Sequence, residues 1–262
     1  MSPEVFIAVM IFVFGAVWGS FANVVIYRLP RGLSIVKPRS FCPSCKKTIP
    51  WGANIPLFSF LFLGAKCFFC KRPISSRYFF VELFTAGLFL AAYLVTGLSW
   101  QLLFLFYLSF SLVVIFFIDL EFQIIPDWFT LPGVVLGVAY AFFNTDVGWK
   151  NGLIGLAVGG GGFLLLAYFG QWVFKKESMG GGDIKMAAML GAFLGWQKLL
   201  VVLLLASLTA VLTFFVIKLL KPKSLADRII PFGPFLAIAA LAAYYWGAQV
   251  ISFYTEKFWA IR

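Results

Sequence analysis

Residues 100–118 read WQLLFLFYLSFSLVVIFFI, and Asp119-Leu120-Glu121 then ends the run on two carboxylates. A helix rises about 1.5 Å per residue, so an uncharged run of this length approaches the ~30 Å hydrocarbon core of a bilayer. Comparable apolar runs lie on both sides of it, at 4–27, 78–97, 128–144, 151–174, 184–197, 199–220 and 229–249. The composition agrees: 62% of the 262 residues are hydrophobic and 12% are charged. A soluble domain carries about 25% charged residues. The expected fold is an all-α polytopic membrane protein with about eight transmembrane helices and one small loop domain. The first span is long, ends in Asn, Tyr and Arg, and has no small-residue cleavage site after it, so it is expected to stay attached.

Charge sets the expected orientation. Segment 28–77 holds ten of the 21 basic residues and no Asp or Glu. With that loop on the cytoplasmic side, alternating crossings place 175–185 and 218–228 there too, and seventeen basic residues lie inside. Only Lys150, Lys198, Lys257 and Arg262 remain outside, as the positive-inside rule requires. Both termini are then expected outside. The net charge of +11 is thus a topology signal, with attraction to anionic lipid head groups a lesser reading, and it does not mark a nucleic-acid partner. Trp100, Trp149, Trp196 and Trp259 fall at outer span ends, as an interfacial belt would.

The inventory narrows the chemistry. There is no His, which excludes Ser-His-Asp triads, Cys-His dyads and His-ligated metals. All four cysteines fall in the basic loop, as Cys42-Pro-Ser-Cys45 and Cys67-Phe-Phe-Cys70 with 21 residues between. Two such knuckles make a zinc-ribbon spacing that completes a tetrahedral thiolate shell and leaves no place for water, so the expected Zn2+ is structural. A fifty-residue loop this basic has little from which to build a core, and a metal supplies what is missing. Disulfides do not suit a reducing cytoplasmic face. A thioredoxin-like pair lacks its βαβ setting.

Acidic residues are few, so each needs a reason. Asp127 follows Pro126 and reads as the N-cap of the next span. Asp119 ends a span with no Lys or Arg within three residues. Asp183 sits in Gly180-Gly181-Gly182-Asp183-Ile184-Lys185, and only about 14 residues, roughly 21 Å of helix, separate it from Lys198. That is short of the bilayer core, so Asp183 is expected at some membrane depth, where ionisable groups are functional by default. The Gly loop should line a cavity and not face lipid. Asp119 and Asp183 both fall at the cytoplasmic end. Two carboxylates held together share a proton, and such a dyad can activate water and protonate a carbonyl or leaving amine. Two unrelated helix-end acids, or a proton or cation relay, remain open on spacing alone. The acids Asp119, Glu121 and Asp127 have no base among them, which suits a basic substrate segment.

At this point the chain resembles the prepilin leader peptidases, the bifunctional membrane aspartic peptidases of bacterial type IV pilus and type II secretion systems. Gly19-Ser20-Phe21-Ala22-Asn23-Val24-Val25-Ile26-Tyr27-Arg28-Leu29-Pro30 is similar to their N-terminal signature, with Ala22 where Leu is common. The cysteine tetrad is similar to their zinc motif, and Arg77-Tyr78 with Val81-Glu82-Leu83 to their second span. Asp119 with Pro126-Asp127, and Gly180-Gly181-Gly182-Asp183-Ile184-Lys185, resemble the two aspartate blocks, the second shared with presenilin-type proteases. Glu121 departs from members that carry a second Asp there. The resemblance implies cleavage of a basic leader after Gly in prepilins and pseudopilins at the inner membrane, followed by methylation of the new N-terminal residue, usually Phe, from S-adenosylmethionine. It implies Asp119 and Asp183 as the catalytic pair and Cys42, Cys45, Cys67 and Cys70 as the metal ligands. Glu82, Asn23, Gly180, Gly182 and Lys185 are candidates for substrate or donor binding.

Gly159-Gly160-Gly161-Gly162 lies inside a span and reads as a close-packing site rather than a nucleotide loop. The expected organisation is a first helix at 1–27, the four-cysteine loop at 28–77 and a membrane-embedded peptidase domain at 78–262. A presenilin-like protease without methyl transfer would have no use for the cysteine loop. A proton-coupled transporter would leave it equally unexplained.

Overall fold

The computed structural model describes residues 2–175, 179–220 and 230–259. Helices form nearly all of it, with two isolated β-bridges in the cysteine loop. Helix α1 (Pro3–Arg28) starts under Ser2, whose hydroxyl accepts the Val5 N–H, with Pro3 at the first helical position. The cysteine loop follows and contains the short α2 (Phe58–Phe62). Helix α3 (Ser76–Thr96) is capped by Ser75 and stops at Gly97, whose φ is +63°. Helix α4 (Trp100–Phe122) ends where Gln123 turns left-handed, and α5 (Asp127–Phe143) begins beyond Pro126. Helix α6 (Trp149–Leu156) passes through a π-helical turn at Ala157–Gly162 into α7 (Phe163–Phe174). Helices α8 (Gly181–Leu220) and α9 (Gly233–Trp259) complete the chain.

Among the described residues, helices cover the expected apolar runs, but they make six span-length stretches and not the expected eight, and three local differences stand out. The runs at 184–197 and 199–220 share one 40-residue element with no loop between them; its backbone breaks only at Gly195 (φ +77°, ψ 165°), a conformation open to glycine. The last span does not stop at 249 but runs to Trp259, because no Gly or Pro after Gly247 interrupts it. Asp127 is not the N-cap of α5: Pro126 holds that place at φ −71°, and no side chain caps the end. Among the described residues, the stretches long and apolar enough to cross a membrane number six, and α5 is a shorter apolar helix of 17 residues. Lys176, Lys221, Lys223, Arg228 and Arg262, counted in the charge argument, lie outside the described residues, as does the expected start of the last span at 229.

The chain forms two compact units, Met1–Val114 and Ile115–Arg262. In the first, α1 and α3 pack backbone to backbone. A Cβ on Gly15 would lie 2.8 Å from the Ala86 Cα, and one on Gly19 would lie 2.6 Å from the Glu82 Cα. Glycines four apart give a helix a flat face for such an approach. Ala22, Val25 and Ile26 are sealed below them. The outer face of α1, with Val5, Phe6, Val9, Met10 and Val13, stays exposed, as lipid contact requires.

In the second unit the first half of α8 is enclosed by protein. Residues Met186 to Gly195 are buried, and α5, α6, the π turn and α9 pack around α8. A helical segment too short to span the bilayer is tolerated because its neighbours are helices. The tightest contact is glycine on glycine: a Cβ on Gly155 or on Gly191 would run into the other's carbonyl. Gly159 meets the Ala187 carbonyl in the same way and a Cβ on Gly160 would lie 3.2 Å from the Ala188 Cβ, so the first two glycines of the run serve close packing, while Gly161 and Gly162 face open space. We expect Gly155→Val to cost about 3 kcal/mol, the upper end for overpacking. The readout is the unfolding midpoint in detergent; an unchanged midpoint would contradict a contact this close.

Candidate active site and metal centre

Asp119 occupies the last turn of α4 and is 5% exposed. Its Oδ2 accepts the backbone N–H of Gly233 at 2.9 Å. Gly233 opens α9, so this N–H is one of the donors a helix leaves unpaired at its start, and the positive end of the helix dipole lies beside the carboxylate. No side chain fits there, because a Cβ on Gly233 would lie 2.6 Å from Asp119 Oδ2. Sequence reasoning missed Gly233. Its signal was Pro231-Phe232-Gly233-Pro234, a dense helix-start punctuation ahead of an apolar run.

Asp183 lies in the first turn of α8, also at the positive end of a helix. Its N–H donates to the Gly180 carbonyl at 3.1 Å. Its Oδ1 is buried and has no hydrogen-bond partner among the described residues. A side chain on the exposed Gly180 would reach within 3.2 Å of Oδ2, so glycine leaves this carboxylate open. Ile125 joins the two aspartate loops. It lies 2.7 Å from where a Cβ on Gly182 would sit and 3.2 Å from that of Gly233. The structure thus brings Asp119 and Asp183 together, with Asp183 close enough to feel the charge of Asp119.

Lys185 and Asp127 are drawn to each other. The Lys185 Nζ donates to both carboxylate oxygens of Asp127 at 2.7 Å, with the two side chains about half exposed. The pair clamps the starts of α5 and α8 together, and it takes up the Asp127 charge that the sequence offered to a basic substrate. Glu121 is exposed at the end of α4. For Lys185→Met we expect a stability loss below about 1 kcal/mol, as for surface ion pairs, and a change in turnover of only a few-fold. A loss greater than ten-fold in cleavage of a model substrate would place Lys185 in the chemistry instead.

The four cysteines converge within the other unit. Their sulfurs lie within 4.8 Å of one another, all four are free thiols, and Cys42 Sγ is 3.9 Å from Cys70 Sγ. Tetrahedral zinc with Zn–S bonds of about 2.3 Å sets its sulfurs about 3.8 Å apart. The two knuckles are built alike. Cys42 N–H donates to the Lys47 carbonyl and Cys67 N–H to the Arg72 carbonyl, while Lys46 and Lys71 turn left-handed just after each second cysteine. The bridges Phe41–Thr48 and Lys66–Pro73 close the two loops. Backbone N–H groups of Cys70 and, to a lesser degree, Phe69 hold the Cys67 thiol down to about 6, toward the thiolate that binds metal. This donor set fits zinc.

Asn23 and Glu82 face each other across α1 and α3 below the cysteine loop. Asn23 Nδ2 donates to the Tyr78 carbonyl at 2.9 Å, and Glu82 Oε2 accepts the Leu57 N–H at 2.7 Å. Both residues line one cavity of about 330 Å³. None of the remaining candidates, Gly180, Gly182 and Lys185, lines it; they cluster with the aspartates.

Residues 13–96 match the Bacterial Peptidase A24 N-terminal domain, and residues 105–215 match the Type IV leader peptidase family. A protein of Aeromonas hydrophila named prepilin leader peptidase/N-methyltransferase is 37% identical over 277 residues, covering 95% of this chain and 94% of that one. One of the same name from Pseudomonas aeruginosa is 38% identical, covering 92% and 91%. A third, from Myxococcus xanthus, is 46% identical over 201 residues, covering 77% of this chain and 60% of the longer relative. No solved structure matches. With both parts of the chain matched in order and relatives aligned nearly end to end, the chain belongs to the type IV leader peptidase family.

Proposed function

We propose that this protein removes the leader of type IV prepilins and pseudopilins after a Gly and then methylates the new N-terminus from S-adenosylmethionine. The family and the printed names of its relatives support both activities. The observation that carries the peptidase half is the meeting of Asp119 and Asp183 in one compact unit, each at the positive end of a helix, with one carboxylate oxygen of Asp183 unpartnered among the described residues. In the reaction one carboxylate takes a proton from water as the oxygen adds to the scissile carbonyl. The other gives a proton to the carbonyl oxygen. The tetrahedral species then collapses, and the leaving amine takes a proton from the acid. The Gly233 N–H fixes Asp119 throughout, so that little reorganisation accompanies each proton transfer.

The protein is a multi-pass inner-membrane protein, and we assign its cysteine loop and both aspartates to the cytoplasmic side and both termini to the outside. This rests on the placing of seventeen of 21 basic residues. A prepilin is a hydrophobic helix with its charged leader just inside the membrane, so its scissile bond would arrive at the depth of these helix ends. Cys42, Cys45, Cys67 and Cys70 would hold a structural zinc. The earlier division, a first helix at 1–27, a metal loop at 28–77 and a peptidase part at 78–262, remains our functional reading of the chain.

The test is a model prepilin incubated with the purified full chain, with and without S-adenosylmethionine, and weighed by mass spectrometry. We expect loss of the leader in both cases and a gain of one methyl group only with donor. An intact prepilin would overturn the peptidase reading; cleavage without the mass gain would overturn the transferase half.

A further inference from the structure

Asn23 is 3% exposed, and its Nδ2 is committed to the Tyr78 carbonyl, which fixes the amide's orientation. Its Oδ1 is then a buried acceptor with no partner among the described residues. Glu82, 8% exposed, lines the same cavity. Its carboxylate takes the Leu57 N–H and a Ser20 hydrogen bond, yet among the described residues no Lys or Arg is paired with it; of the two arginines that line the cavity with it, Arg28 donates to the Ser34 and Arg39 carbonyls, and Arg72 makes no ion pair with it. Leu57 accepts a left-handed backbone (φ +64°, ψ −51°) to make that bond, a strain that persists only where the surroundings impose it. A buried anion without a cation and a buried carbonyl without a donor are both costly, and one ligand carrying positive charge and an N–H would satisfy both. The walls include Phe60, Phe68 and Tyr78, faces suited to an aromatic base or a cation. At about 330 Å³ the cavity falls at the lower end of small-molecule sites.

We infer that this cavity binds the methyl donor, an adenosyl sulfonium cation, with Glu82 facing its positive charge and Asn23 Oδ1 accepting one of its N–H groups. The inference rests on the methyl-transfer reading above and adds where the donor sits. When the amine nitrogen of the cleaved pilin takes the methyl group, its N–C bond forms as the S–C bond breaks. The bonding pair stays on sulfur as a neutral thioether, the positive charge passes to nitrogen, and the surplus proton leaves to water. An anion at Glu82 therefore favours the charged donor over the neutral product.

The test is equilibrium binding of S-adenosylmethionine and S-adenosylhomocysteine to the full chain and to Glu82→Gln and Asn23→Ala. Gln keeps an acceptor for the Leu57 N–H and removes only the charge; zinc content and unfolding midpoint report that the fold is intact. We expect Glu82→Gln to weaken the sulfonium donor at least ten-fold and the thioether less, and Asn23→Ala to weaken both. Unchanged donor affinity in Glu82→Gln overturns the inference, including the case where only the KM for the cleaved pilin rises, which would assign the carboxylate to the pilin's ammonium. A wild-type readout stands apart from any variant: ultraviolet crosslinking of radiolabelled donor should mark peptides within 20–27, 41–60 or 68–82, and label confined to 115–259 would overturn it. Wild type that binds no donor at all would instead sink the methyl-transfer reading itself.

Discussion

Asp119→Asn and Asp183→Asn should each lower leader cleavage by about 10³-fold or more, and the double variant should be little worse than either alone. Positioned acid and base groups contribute about 10²–10⁴-fold each. Members of one proton-transfer unit are strongly non-additive, since losing either stops the same step. Asn is the informative substitution because it keeps size and hydrogen-bond acceptance. The amide oxygen at 119 can still take the Gly233 N–H, so α4 and α9 keep their junction and the unfolding midpoint should hardly move. Asp127→Asn is the control. It loses only the half-exposed bond to Lys185, and its cleavage rate should stay within a few-fold of wild type. Methylation of a substrate supplied already cleaved should continue in both variants. More than a tenth of wild-type cleavage surviving in either Asn variant would remove the dyad from the mechanism.

Asp119 was legible because it broke an uncharged run of apolar residues with no base nearby, and Asp183 because three glycines precede it in a helix too short to span. What holds Asp119 was not legible. Its partner is a backbone N–H 114 residues away, and backbone groups leave no residue type to read. Asp127 illustrates the opposite failure. Its position after a proline fits the pattern of a cap, but Pro126 takes the cap position and the carboxylate turns to a lysine 58 residues on. Local pattern describes the helix end well and cannot weigh a partner supplied by tertiary packing. The boundary inside α8 is a third case. Lys198 suggested a loop, whereas one left-handed glycine three residues earlier bends the chain and keeps all but that step helical. The convergence of the cysteine tetrad was the most legible feature of all, because a set of thiols able to hold a metal has its residue types and spacing written into the chain.

That same tetrad leads to the second large effect. Removing zinc with a chelator, or replacing Cys67 by Ser, should abolish most methyl transfer, because the binding energy of a structural zinc is folding energy for a loop like this one. The loop has little else to hold it. Its regular structure is one five-residue helix, two short 3-10 turns and two isolated bridges, and Trp51, Phe58 and Phe62 stay exposed rather than forming a core. Binding of a structural zinc is worth about 10–16 kcal/mol in small metal domains, more than such a loop can supply from burial. Without it the knuckles open, the Glu82–Leu57 bond loses its anchor, and the cavity that both elements line loses its roof. Proteolysis should then cut between residues 40 and 75 while α1 and α3 remain protected, because their contact is glycine against backbone and needs no metal. Leader cleavage should fall by less than ten-fold, since Asp119, Asp183, Ile125 and Gly233 belong to a unit with its own packed centre around α8. Zinc loss that reduced cleavage and methylation in parallel would mean that the loop also presents the substrate to the aspartates, and the separation of the two activities between the two units would fail.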